Sequence, residues 1–268
     1  MRLSEFIQWQ FKTKDIAFGQ LTEQFIHDYQ NYVMDVKGLA VDTVRHYLAI
    51  LKKVCRIAYK EGYADRYFFA NFTLPQKTES TPRALSCEDF EKIRDVEIPA
   101  WRTTHILVRD LFLFACYTGT AYADAVSVTR ENLYTDDEGS LWLKYRRKKN
   151  ELQASVKLLP EALALIEKYH DDSRPTLFPM VHHPNMKRHM KALAVLAGIN
   201  GGLCYHQARH SFASLITLEA GVPIETISRM LGHSDITTTQ VYARVTPKKL
   251  FEDMDKYIEA TKDLKLVL

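Results

Sequence analysis

Apolar positions recur at helical intervals through most of this chain and alternate in only one short stretch. Between Leu21 and Val36, the residues Phe25, Ile26, Tyr29, Tyr32 and Val33 fall three or four apart. From Val41 to Glu61, a second stripe runs through Val44, Leu48, Leu51, Val54, Cys55 and Ala58. Spacing of this kind gathers apolar side chains on one face, so each segment predicts an amphipathic helix. Arg45, Lys52, Lys53, Arg56 and Lys60 fall on the remaining surface of the second one. Leu74 to Ser86 then breaks the pattern with two prolines, several Ser and Thr residues and few apolar ones. The expected organisation is a helical domain over residues 1–76, a linker over 77–85 and a larger domain over 86–268.

The second domain predicts mostly helices. Ser86 is placed to cap a helix running to about Arg94, and His105 to Tyr117 is apolar enough to be largely buried. Gly119 is the natural stop for it, because glycine adopts the left-handed conformation that ends helices. A short helix over about Ala121 to Val128 follows. Strict alternation appears in Ser140 to Arg146, where Leu141, Leu143 and Tyr145 oppose Trp142, Lys144 and Arg146. With Ala154 to Pro160 this predicts a two-stranded antiparallel hairpin closed by Arg147 to Gln153. Helices are expected over Glu161 to His170, His183 to Leu196, Tyr205 to Ala220 and Ile224 to Leu231. A last one is expected from Pro247, with Thr246 as its cap. The fold class is mainly α, with one small antiparallel sheet.

Composition changes the picture little. Hydrophobic residues make up 46% and charged residues 26%, the balance of a soluble globular protein. The net charge of +3 does not by itself point to nucleic acid, but the basic residues are clustered, and clustering decides electrostatic footprint. The four cysteines form no C-x-x-C pair, which suggests free thiols in a reducing cytoplasm and excludes a zinc ribbon. No apolar run is long enough to cross a membrane, and the N-terminus has no signal-peptide pattern.

The candidate chemistry lies in the last quarter. His206 and Arg209 are one helical turn apart in "LCYHQARHSFAS", and "LGHSDITTTQVYARV" holds His233 and Tyr242. Arginine clamps phosphate bidentately, histidine moves protons near neutral pH, and a tyrosine oxygen is a nucleophile. Each piece alone occurs by chance; H-x-x-R, then L-G-H, then Tyr, in that order, is specific. On these motifs the chain resembles the tyrosine site-specific recombinases, or phage-type integrases.

The resemblance implies a small helical core-binding domain and a catalytic domain that together clamp double-stranded DNA. It implies Tyr242 as nucleophile, Arg209 as phosphate clamp, His206 as general base or orienting donor and His233 as phosphate donor. A lysine on the hairpin turn would protonate the leaving group. Lys144 to Lys149 reads K-Y-R-R-K-K, and Lys149 best matches that place, with Lys148 second. Lys144, Arg146, Arg147 and Lys148 are then DNA-binding residues, as are Arg45, Lys52, Lys53, Arg56 and Lys60 on the first domain. No metal and no cofactor are expected. The implied assembly is a homotetramer on DNA, with a monomer as the candidate solution state and accessory DNA-bending proteins as compatible partners. The setting is the bacterial nucleoid in the cytoplasm.

One position departs from the pattern. The family carries T-G-x-R where this chain reads Thr118-Gly119-Thr120-Ala121, so the first catalytic arginine is Ala121. Losing one charge-assisted phosphate contact costs about two to three decades in rate. Arg109 on the preceding helix is the candidate substitute. A catalytically weakened or inactive DNA-binding or bending protein stays open as an alternative, as does a topoisomerase-like nicking-closing enzyme.

Overall fold

In the computed structural model, residues 2–78, 84–242 and 247–261 are described, and the chain divides into two compact units, 1–80 and 81–268. The first unit holds helices α1 (Arg2–Phe11), α2 (Glu23–Asn31) and α3 (Val41–Lys60). Thr22 starts α2 as expected of a capping hydroxyl, accepting a hydrogen bond from the Phe25 amide at 3.1 Å. The Phe6 ring, on the unpredicted α1, packs against Phe25, Tyr29 and Tyr32 at centroid distances of 5.2–5.4 Å. α3 buries Val44, Leu48, Leu51, Cys55 and Ala58, but not Val54, which is 45% exposed. The 3-4-3 spacing from Leu48 to Ala58 is complete without it, and Val54 lies about 60° around the helix from Leu51. Its neighbours on the outer side are the exposed Ile50, Lys53 and Ile57.

The second unit is arranged around α5. Ser86 caps α4 (Cys87–Asp95) by accepting from the Asp89 amide at 3.0 Å. In α5 (Thr103–Thr118) every side chain from Asp110 to Thr118 is buried, because α7 (Pro160–Lys168), α8 (His183–Leu196) and α9 (His206–Ser211) pack around it. Gly119 ends α5 at φ 69°. The expected short helix is a single turn, α6 (Tyr122–Ala125).

The sheet has three strands in the order β1 (Leu133–Thr135), β2 (Leu141–Arg146), β3 (Gln153–Lys157), all antiparallel. β1 is an addition to the expected hairpin; its three residues are too few to alternate visibly. Leu143 and Tyr145 point into the core, with Leu143 paired to Val156 and Tyr145 to Ala154. The helix expected from Tyr205 to Ala220 is α9 followed by wide π-helical turns over Phe212–Leu218, where the Thr217 hydroxyl donates to the carbonyls of Phe212 and Ala213. α10 (Ile224–Met230), α11 (Thr237–Gln240) and α12 (Pro247–Thr261) complete the unit. The expected cap Thr246 lies outside the described residues. Among the described residues, no helix is long and apolar enough to cross a membrane.

Candidate active site

Three helix ends and the β2–β3 turn meet around one buried charge. Arg209 is 1% exposed. Its Nη1 donates to the Gly119 carbonyl at 2.7 Å and its Nη2 to the Leu231 carbonyl at 2.6 Å. These oxygens lie at the C-terminal ends of α5 and α10, where helices leave carbonyls unpaired and carry partial negative charge. The glycines of both motifs permit the approach. A Cβ on Gly119 would stand 2.6 Å from side-chain atoms of Leu231 and Phe212, and one on Gly232 would stand 2.7 Å from Cδ of Arg147.

The T-G and L-G-H motifs are therefore packing requirements of the cradle as much as chemistry. Burial first, and the nearby Arg147 charge second, push the Arg209 guanidinium down to about 10. At neutral pH it still carries its full charge, buried where an anion would be stabilised.

His233 follows Gly232 directly. Its Nδ1 lies 2.7 Å from Oγ1 of the fully buried Thr239, on α11. That contact accounts for one member of the threonine run. Burial, then the charges of Arg209 and Arg147, push the imidazole down to about 4, so it is neutral at physiological pH. In the tautomer where the Thr239 hydroxyl donates to Nδ1, Nε2 carries the proton and is a donor. His206 sits on the first residue of α9, open to solvent on one side; desolvation, Arg209, Lys149 and Arg147 all lower it. Each of these influences favours the neutral form, the form a proton acceptor needs.

Tyr242 lies two residues beyond α11, its amide donating to the Thr239 carbonyl at 2.9 Å. Burial raises its phenol, while the Arg209 and Arg147 charges act in the opposite direction. The nucleophile candidate and the clamp candidate therefore share one electrostatic neighbourhood. The rival tyrosines differ. Tyr205 is buried and donates to the Leu111 carbonyl at 3.0 Å, and Tyr257 is exposed on α12.

Lys149 is exposed at the β2–β3 turn, and its charge contributes to the lowering of both His206 and His233. Lys148 is also exposed, but its amide is tied to Asp124 Oδ1 at 2.9 Å. Lys144 and Arg146 occupy the outer face of β2.

Arg109 does not reach the site, which corrects its expected place as the substitute for the missing arginine. Its Nε donates to Asp110 at 2.9 Å and its Nη1 to the Val96 carbonyl at 3.2 Å, ten residues and about 15 Å of helix before Gly119. Arg147 is not on the outer basic patch. It is 7% exposed and turns inward, donating to the Gly232 carbonyl at 2.9 Å. On the first unit, Lys53, Arg56 and Lys60 are exposed, and Lys52 lies over the Phe69 ring. Arg45 donates to the Pro75 carbonyl and braces its own unit.

Sequence reasoning passed over His210. It packs edge-on between His206 (4.4 Å) and Tyr242 (5.2 Å), and burial pushes it down to about 4. Its place four residues after His206 was the available signal, since i and i+4 share a helix face. Among the described residues, three buried side-chain polar atoms lack a hydrogen-bond partner: Tyr145 Oη, Arg147 Nε and His210 Nδ1. All three belong to residues of this neighbourhood, because Arg209 acts on each of Tyr145 and His210, and Arg147 acts on Arg209.

Known proteins show the same organisation. Residues 83–249 match the sequence model of the Phage integrase family, and residues 1–74 match that of the Phage integrase SAM-like domain. The tyrosine recombinase XerD of Listeria monocytogenes serotype 4b (strain F2365) is 25% identical over 232 residues, covering 80% of this chain and 75% of the relative. The tyrosine recombinase XerD of Lacticaseibacillus casei is 25% identical over 264 residues, covering 92% and 86%. The fold matches the XerH site-specific recombinase in a post-cleavage complex with its palindromic difH substrate, at TM-score 0.73, 17% identity and coverage of 96% of this chain and 78% of the other. It also matches a lambda integrase dimer bound to a COC' core site, at TM-score 0.69, 17% identity and coverage of 90% and 86%. With its larger domain matched almost end to end, the chain belongs to the phage integrase family, the tyrosine recombinases that cut and rejoin DNA.

Proposed function

We propose that this chain carries out site-specific recombination of double-stranded DNA, with Tyr242 as the nucleophile. The phenolic oxygen attacks the scissile phosphorus, a P–O bond to Tyr242 forms, and the bond to the 5′ oxygen breaks. The phenolic proton passes to neutral His206, and Lys149 gives a proton to the departing 5′ oxygen. The product is a 3′-phosphotyrosyl bond and a free 5′-hydroxyl, so bond energy is conserved and resealing needs no nucleotide. Arg209 and His233 hold the non-bridging oxygens and stabilise the charge that grows on them.

The observation that carries this reading is the convergence on Arg209: His206, His210, His233 and Tyr242 all feel its charge, and among the described residues its hydrogen bonds go to carbonyls and no carboxylate stands within ion-pair distance of it. A buried cation with carbonyl partners only is ready for an anion.

Residues 1–76 act as the core-binding domain, with Lys53, Arg56 and Lys60 on phosphates, and residues 86–268 as the catalytic domain. Exposed Phe251 and Met254 on α12 are suited to cover by a neighbouring protomer, in keeping with a tetramer on two recombining sites. The test is a suicide substrate nicked near the scissile phosphate. A covalent protein–DNA band is expected from the parent chain and none from Tyr242→Phe, while both bind the intact duplex. Absence of the band from the parent contradicts the reading. Relaxation of supercoiled plasmid lacking any specific site would favour a nicking-closing enzyme instead.

A further inference from the structure

Ala121 leaves the site one guanidinium short of its family's pattern, and a different element brings another arginine beside Arg209. Arg147 begins the β2–β3 turn and is anchored at both backbone ends: its amide donates to the Leu152 carbonyl and its carbonyl accepts from the Glu151 amide, each at 2.9 Å. Glu151 turns the chain there at φ 56°, a strained value for a residue with a side chain. From this anchored turn the Arg147 stem enters the space left by the missing Cβ of Gly232.

Its guanidinium is only lightly engaged. Among the described residues it makes one hydrogen bond, from Nη1 to the Gly232 carbonyl, and its buried Nε has no hydrogen-bond partner. The nearest carboxylate oxygen, Asp124 Oδ2, stands 3.8 Å from Nε. The other oxygen of Asp124 accepts from the Lys148 amide. A purely structural arginine at this depth would satisfy its donors, because each unmet buried donor is costly. Arg147 and Arg209, both buried, donate to the carbonyls of the adjacent residues Gly232 and Leu231, which sets the two cations side by side. Two adjacent buried guanidiniums are an unfavourable arrangement for the free protein and a favourable one for a bound phosphodiester.

We infer that Arg147 takes the phosphate-holding place that Ala121 leaves empty, gripping a non-bridging oxygen of the scissile phosphate beside Arg209. The inference rests on the recombinase reading above. In this chain the first arginine is delivered by the hairpin, from the same turn that carries Lys149, so the clamp and the leaving-group acid enter the site on one element. Asp124 and Asn150 are positioning residues for that turn, through the Lys148 amide and the Gly232 carbonyl.

Single-turnover cleavage of the suicide substrate tests this on the full chain, using the parent, Arg147→Ala, Arg147→Lys and Arg147→Ala combined with Ala121→Arg. Each is run on the natural substrate and on one whose scissile phosphate is a methylphosphonate, which has a methyl in place of one charged oxygen. Arg147→Ala is expected to bind intact duplex like the parent and to cleave the natural substrate about 100- to 1000-fold more slowly. On the neutral methylphosphonate the deficit should shrink to about tenfold or less, because the charge that needed Arg147 is gone. Ala121→Arg should restore part of the lost rate, and Arg147→Lys should fall between parent and alanine.

The inference is overturned if Arg147→Ala cleaves within threefold of the parent, or loses the same factor on both substrates, the mark of a structural brace. Should the alanine variant fail to fold, Arg147→Lys carries the same contrast between the two substrates. Failure of the parent to form any adduct would instead remove the recombinase reading itself.

Discussion

Arg209 rides on a helix and is held by two helix-end carbonyls, whereas Arg147 hangs from a hairpin and is held by one. The first is part of the architecture: its partners close α5 and α10, so removing it unsettles the joint between them. The second is lightly tethered, with a buried Nε that has no hydrogen-bond partner among the described residues. On the proposed reading, one arginine serves stability and chemistry together, and the other serves chemistry with little structural return. Mutations should separate the two.

The largest expected effect is at Arg209. Arg209→Ala strips the partners from two buried carbonyls, each worth about 1–3 kcal/mol when left unmet. Cleavage should become undetectable, and urea unfolding should show a loss of about 2–4 kcal/mol. Arg147→Ala should cost less than about 1.5 kcal/mol in the same unfolding assay, because the Gly232 carbonyl keeps Asn150 as a second donor at 3.3 Å. Equal losses of stability would break the contrast.

The two glycines give the next step. Gly119→Ala combines a positive φ with contacts of 2.6 Å to two core side chains, so a loss of about 3 kcal/mol is expected by thermal or urea unfolding. Gly139→Ala is the control, since φ is 78° but no atom lies within 4 Å of the added Cβ; about 1 kcal/mol should be lost there. Gly232→Ala should lie between them in stability yet lower cleavage strongly, because the atom it displaces belongs to Arg147.

Acid should act on the helical half. His210 and His233 titrate near 4 in the folded protein against 6.5 ordinarily, so the unfolded chain takes up protons first as pH falls. Stability should be full above pH 6.5 and decline toward pH 4, by on the order of 2 kcal/mol for each histidine. Urea midpoints measured across that range check it, and His210→Phe should flatten the slope. The smallest effect is expected at Asn150→Ala, under about 1 kcal/mol, with cleavage reduced a fewfold because the turn bearing Arg147 and Lys149 loses one tether.

The helical half was the legible half. H-x-x-R and L-G-H are short motifs whose spacing alone places His206, Arg209 and His233 near helix ends, and the apolar run through Leu111 and Phe114 announced a buried α5. What periodicity did not carry was everything decided by contacts across the fold. β1 has three residues, too few to alternate. Val54 lies just off the edge of a stripe that already closes without it. The π-helical turns over Phe212–Leu218 keep an apolar pattern indistinguishable from an α-helix. The burial of Arg147 was not legible: in K-Y-R-R-K-K each cation looks alike, and only the register of β2, with Tyr145 inward, and the hole beside Gly232 send that one arginine inside. Arg109 was chosen for proximity in sequence, yet its partners lie at Asp110 and Val96.

The most direct test of the central claim is to find which side chain holds the DNA. The covalent complex trapped on a suicide substrate would be digested with nuclease and protease and the nucleotide-bearing peptide sequenced by mass spectrometry. The account predicts the nucleotide on Tyr242; its attachment to Tyr205, Tyr257 or any other residue would contradict it.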